Sequence, residues 1–282
     1  MNRPLFWKLA LPVMATALCT SALAQQPATP KAAPAPAQAP ASAQGPALPL
    51  VMLPEKPEID PKAIDILKAA SAKLAAAKTM TFTAIATYES PARTLMPLAY
   101  MTLSQVTLER PNKLKVIVPG DGPPSEFYYD GKQMIAYAPQ EDVAAVADAP
   151  PTIDEMLKFA DKTAAISFPF EDAIISNPAS DLVDLQLAFI IGRSVVVGGV
   201  TTDMIGLVNN KAQAEIWIGA DDKLPRMIRV TYFNEPGQFR HVVEFSNWKL
   251  DPVLPPGTFT SEKALKAKRI KFASPDSPPV KP

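Results

Sequence analysis

The chain has 282 residues, with 28 basic side chains against 28 acidic ones. That neutrality excludes the basic footprint of a bulk nucleic-acid binder. The lone cysteine, Cys19, lies in an N-terminal leader, so the exported chain holds no thiol for a disulfide or a cysteine metal site.

Residues 1–24 read as a secretory signal. Arg3 and Lys8 supply the positive start, Leu9 to Leu18 a short apolar core, and Ala22-Leu23-Ala24 a small-x-small cleavage pattern ahead of Gln25. The apolar run is short for a membrane span. A retained anchor is the alternative; a lipid on Cys19 is disfavoured because bulky Leu18 precedes it. The expected compartment is the periplasm, and cleavage leaves no integral membrane segment. Removal of Arg3 and Lys8 leaves 26 basic residues against 28 acidic ones, and the remaining chain is long enough to rely on its core alone.

Residues 25–57 form a Pro/Ala/Gln tract without apolar periodicity, which predicts a disordered, extended spacer. Order is expected from residue 58 to residue 272, with a disordered tail at 273–282. Asp60 suits a helix N-cap and Pro61 the first helical position. Ile64, Leu67, Ser71 and Leu74 then recur at helical spacing.

At Thr79 the period changes to two. Met80, Phe82, Ala84, Ala86 and Tyr88 share one face, which predicts a half-buried antiparallel strand. Further strands are expected at 98–109, 114–118, 126–129 and 132–138, the last two joined by an Asp130-Gly131 hairpin turn; one more is expected at 142–148. Residues 152–187 revert to helical character: Thr152 and Glu155 form a capping box, and FPFEDAI and PASDLVDLQL read as two short helical pieces. From Phe189 to Leu250 four or five consecutive strands follow, with GADDKLP as a hairpin turn. The tail SEKALKAKRIKF carries Lys263, Lys266, Lys268, Arg269 and Lys271. It reads as a solvated helix or edge strand, or as a contact for anionic lipid or an acidic partner.

Catalytic groupings are not evident. His241, in the strand QFRHVVEF, is the one histidine, where a histidine metal site needs two or three. No Gly-x-Ser-x-Gly elbow, phosphate-cradling loop or dinucleotide fingerprint occurs. Turn chemistry explains Asp221-Asp222 and Glu141-Asp142. The expectation is a non-enzyme without cofactor or metal; a hydrolase with an unfamiliar site would have His241 as its best candidate.

Several segments carry a family likeness. ERPNKLKV, YYDGKQMIAYAP, EIWIGADDKLPRMIRVTY and PPGTFT, in that order, resemble junctions of the LolA/LolB-like lipoprotein-carrier superfamily, and more closely an uncharacterised family of predicted periplasmic proteins assigned to it. The likeness covers about residues 58–272. It implies an α+β fold: a large curved antiparallel sheet, a half-open barrel, with helices packed over its concave face. It also implies a carrier or sensor whose partner is a lipid or an acylated lipoprotein. The arginine that opens the lid in the classical carrier corresponds to either Arg93 or Arg110. The alternative is an interaction module with an envelope protein partner, like the related envelope-stress regulators.

Burial of an acyl chain contributes about 0.8 kcal/mol per methylene, so such a site needs no polar motif. The expected apolar lining is Met80, Phe82, Leu114, Val116, Trp217 and Phe245. An empty apolar hollow of several hundred Å³, on the scale of about 300–1,000 Å³ usual for ligand pockets, would favour the binder. A filled interior would favour the interaction module.

Overall fold

The computed structural model describes residues 58–91, 97–120, 122–182, 184–233 and 237–273. The expected signal, spacer and most of the tail lie outside them. The first helix, α1 (Pro61–Ala76), begins as its sequence dictates: the Asp60 carboxylate accepts from Lys62 N, and Pro61 sits in the first turn. Just ahead of it, Glu58–Asp60 makes a bridge to Ala188, giving backbone partners to the outer edge of the last sheet strand.

Six strands follow in a meander: β1 (Thr79–Pro91), β2 (Pro97–Glu109), β3 (Lys113–Val118), β4 (Ser125–Tyr129), β5 (Gln133–Ala138) and β6 (Val143–Asp148). β1 continues through Ser90 and ends at Pro91, because β2 pairs with it out to Pro91↔Pro97. The β4–β5 turn is built by Asp130, whose carboxylate accepts from Lys132 N and Gln133 N, and by Gly131 at φ +94°, a conformation open to glycine at little cost. The helical block holds α2 (Ile153–Ala164), α3 (Glu171–Ile174) and a 3-10 turn at Pro178–Leu182. The Thr152 hydroxyl accepts from Glu155 N, the N-cap half of the expected capping box; the Glu155 carboxylate accepts from the same hydroxyl in place of the Thr152 backbone N–H.

A second meander contains β7 (Leu187–Ser194), β8 (Thr202–Val208), β9 (Ala212–Gly219), β10 (Pro225–Tyr232) and β11 (Arg240–Leu250). The tail forms both α4 (Glu262–Lys266) and a short edge strand, β12 (Lys268–Ile270). All twelve strands join one open sheet in the order β12-β6-β5-β4-β3-β2-β1-β11-β10-β9-β8-β7. Every pairing is antiparallel except β12 on β6. The two meanders meet where β1 pairs with β11.

One face of this curved sheet carries the main core. Met80, Phe82, Val106, Leu108, Leu114, Phe127, Ile216 and Phe245 belong to a single buried cluster with Leu67 and Leu74 of α1 and Met156 and Leu157 of α2. Helices therefore cover the concave face, as expected of an α+β layered fold. A smaller cluster lies on the opposite face, where Ala264 and Ala267 of the tail cover Tyr128, Ile135, Tyr137 and Ala144.

Alternation fails at one place in β11. The β1–β11 register shifts between Thr81 and Thr83, and Asn247 adopts φ +57°. This bulge turns Trp248 to the same side as Phe245, three residues before it, where strict alternation would put them on opposite faces. The Trp248 ring stacks on Phe82 with centroids 4.4 Å apart, and its indole N–H donates to Pro225 O.

Candidate functional site

Among the described residues, the interior is filled at its centre and hollow at one end. A row of rings runs across the concave face: Trp248 on Phe82, Phe82 against Phe170 at 5.7 Å, Phe170 against Phe168 at 5.4 Å, and Phe168 against Phe127 at 5.2 Å. Between α1 and β9–β10 only about 30 Å³ is left open, bordered by Leu67, Leu74, Ile216 and Ile228. A space of that size admits a few waters at most.

Beyond Phe168 and Phe127 the row stops, and a groove of about 380 Å³ opens. Its floor comes from the inward side chains of β3–β6, including Val116, Phe127, Ala136 and Ala145. One wall is the end of α2 and the segment after it, with Ala164, Ile166 and Phe168; the other is the chain end, with Ile270 and Phe272. The α2 wall is set by Ala165, which ends the helix in the left-handed conformation at φ 52°. Its N–H donates to Asp161 O and that of Ile166 to Ala160 O, the pattern of a helix C-terminal turn.

Of the expected lining residues, Met80, Phe82, Leu114, Val116 and Phe245 come together in the main core cluster. Val116 also lines the groove. Trp217 is placed apart from them. It lies between Ile216 and Ile218, which both face the core, so its ring projects from the opposite face, opposite Met204 and Met227. Phe127, Phe168 and Phe272 line the groove and were not among the expected residues. The first could have been found from the β3–β4 hairpin register, which puts Phe127 beside Val116.

Arg110 lies at the β2–β3 junction under the helices. Its guanidinium donates to Ile174 O at 2.8 Å, at the end of α3, and to Leu74 O at 3.5 Å, near the end of α1. Its Nε is buried without a hydrogen-bond partner among the described residues. Burial lowers the Arg110 pKa, and the nearby Asp154 carboxylate opposes that shift. Asp154 in turn accepts from the N–H and hydroxyl of Ser176. The segment after α3 is thus held from two sides. Arg93, the other candidate for a lid arginine, lies outside the described residues.

Two phenols flank the groove-bearing strands. Tyr129 is buried in the core and donates to Pro150 O; burial, then Asp130 and Glu155, push its pKa up to about 12. Tyr128 faces the other side; burial and its hydrogen bond to Glu126 push it up to about 12 as well. Unfolded, both ionise near the ordinary value of 10.0. The folded state therefore holds the protons more tightly, and the stability this contributes is complete below pH 10.0 and is lost as pH rises through about 12. Phenolate absorbance should show both groups titrating late in the folded protein. The Tyr128→Phe and Tyr129→Phe variants should each shed part of the alkaline fall in melting temperature; an unchanged profile in both would refute this origin.

His241 is buried on β11 and packs edge-on against Tyr232 at 5.3 Å, the environment of a strand residue in a core. No group of three or more His, Cys, Asp or Glu suited to a metal ion occurs among the described residues. Among them, too, no helix is long and apolar enough to cross a membrane.

A family model described as "Predicted periplasmic protein (DUF2092)" matches residues 63–273. No curated protein matches the chain. Among solved structures, it is similar to LprF from Mycobacterium bovis at 16% identity, covering 70% of this chain and 97% of that one, with a TM-score of 0.43. A LolA superfamily protein from Nitrosomonas europaea aligns at 11% identity over 71% of this chain and 98% of its own, with a TM-score of 0.35. The MucA/MucB complex of Pseudomonas aeruginosa aligns at 14% identity over 72% and 62%, with a TM-score of 0.44.

Proposed function

The chain belongs to the DUF2092 family of predicted periplasmic proteins, and from that premise we propose that it is a non-enzymatic binder of an apolar or acylated ligand, working in the manner of a lipid or lipoprotein carrier. The observation that carries this reading is the groove of about 380 Å³, walled by Val116, Phe127, Phe168, Ile270 and Phe272. Its volume falls in the range of about 300–1,000 Å³ usual for small-ligand sites. Each methylene that enters contributes about 0.8 kcal/mol, so apolar contact alone supports useful affinity. The ligand then needs no catalytic group, and export by the N-terminal leader would bring the chain to acylated molecules of the envelope.

The test is direct. The exported chain is purified from the periplasm without detergent, and bound species are extracted for mass spectrometry. Acyl-bearing molecules are expected, and a fluorescent fatty-acyl probe should bind competitively with them. Ala136→Phe, which places a ring on the groove floor, should weaken the probe about 10-fold or more while the melting temperature stays close to wild type. Clean protein that binds no acyl probe would end the carrier reading.

The filled centre supports a second reading, a protein-interaction or envelope-stress-sensing module. β3 pairs with β2 only over Gln105–Glu109, so among the described residues no strand takes the outer edge of β2 from Pro97 to Ser104, which is backbone for a partner strand. In-cell crosslinking that captures one protein, from a chain carrying no lipid, would decide for this reading.

A further inference from the structure

Resting on the groove reading above, we propose that the occupant is a single-chain anionic amphiphile, with its acyl chain in the groove and its head group held by Lys268 and Lys271. The C-terminal segment from Ser261 to Ala273 carries five cations, Lys263, Lys266, Lys268, Arg269 and Lys271, against one acid, Glu262. The fold brings part of that charge to the mouth of the groove. β12 lies parallel on β6, with Lys268 beside Val143 and Ile270 beside Ala145. Val143, Ala145, Ile270 and Lys271 all line the groove.

Side chains two apart on a strand share a face, so Lys268 stands on the groove side with Ile270. Arg269 takes the other side, where its guanidinium donates to Leu265 O at 2.9 Å. Lys266 is engaged by Glu262 at 3.3 Å. Lys268 and Lys271 are exposed and have no ion pair among the described residues.

The acids nearby accept from phenol hydroxyls. Glu126, the one carboxylate among the lining residues, accepts from the Tyr128 hydroxyl at 2.6 Å. Asp142 accepts from the Tyr137 hydroxyl at 3.2 Å. An apolar trough with two uncommitted ammonium groups at its rim fits a carboxylate or phosphate head on a hydrocarbon tail. A zwitterionic head would bring a cation of its own against them. The trough sits at the small end of the pocket range of about 300–1,000 Å³, which suits one chain better than two or three.

The experiment uses the exported chain, stripped of endogenous lipid on a hydrophobic resin. It is titrated with lysophosphatidylglycerol, lysophosphatidylcholine and monoacylglycerol of equal chain length, each below its micelle concentration, and separately with inorganic phosphate. Lysophosphatidylglycerol should bind about 10-fold tighter than the other two at low salt. The gap should close as salt screens the exposed rim. The Lys268→Gln/Lys271→Gln variant should lose the gap and keep the monoacylglycerol affinity, and phosphate should not displace the lipid. Equal affinity for all three lipids overturns the head-group assignment and leaves the groove reading standing. Binding of none of them overturns the groove reading itself. Displacement by phosphate alone overturns the amphiphile in favour of a plain anion site.

Discussion

Replacement of Phe82 by alanine should lower the stability of the fold by about 3–5 kcal/mol, the cost of deleting a buried aromatic ring from a packed core. The ring is 3% exposed and touches Trp248, Phe245 and Phe170 at centroid distances of 4.4, 5.9 and 5.7 Å. It lies beside the junction of the two meanders and links Trp248 to the rest of the row of rings that ends at Phe127. Its neighbours come from β11 and from the segment before α3, and collapse into the vacancy would have to move both. Phe82→Leu keeps most of the apolar volume and should cost about 1–2 kcal/mol. The measurement is the denaturant midpoint at constant slope, with the emission of Trp248 moving toward that of a wetter indole in the alanine variant. A loss under about 1 kcal/mol would mean that the rings do not form one packed unit.

Arg110→Met should cost about 2–3 kcal/mol, because the Ile174 and Leu74 carbonyls lose a charged donor in a place where water does not replace it easily. The methionine fills much of the same space, so the loss reports the hydrogen bonds more than the volume. Arg110→Lys should recover less than half: an ammonium is a point donor and cannot reproduce a planar fork that reaches two helix ends. Amide hydrogen exchange should quicken at the C-terminal turn of α1 and at residues 171–176, and not in β9 or β10. Uniform quickening across the sheet would instead make Arg110 a global stabiliser with no special hold on the helices.

Much of this architecture was legible in the residues. Asp60 and Pro61 start α1, Thr152 and Glu155 start α2, and Asp130-Gly131 turns β4 into β5, because each of these is a local preference that needs no distant partner. The apolar side of β1 was legible too, since Met80, Phe82, Ala84 and Ala86 keep strict alternation. What escaped was set by long-range geometry. Trp248 reaches the interior through a bulge at Asn247, and a bulge shifts the period without leaving a mark in hydrophobicity. Trp217 alternates correctly, but its neighbours on both sides are also apolar, so either face could be read as the inner one. Phe168 and Phe170 belong to a segment with only one short helical turn, too brief for a period, and they fill the centre that the strand pattern alone left hollow. The groove's second wall, Ile270 to Ala273, depends on a three-residue parallel pairing with β6, which no local signal announces.

The strand order also governs how the chain reaches its final form. Each neighbour pair within β1–β6 and within β7–β11 is consecutive along the chain, so these contacts close over short loops at small entropic cost. The β1–β11 seam is different: Met80 meets Leu250 and Tyr88 meets His241, more than 150 residues apart in sequence. The slow, high-contact-order part of folding is therefore concentrated in that seam. The floor of the groove lies wholly on β3–β6, on the local side of this division. The hollow's floor can be assembled from hairpins before the far half docks, while the ring of Phe82, which sits on the seam, gains its Phe245 and Trp248 neighbours only when the two halves meet.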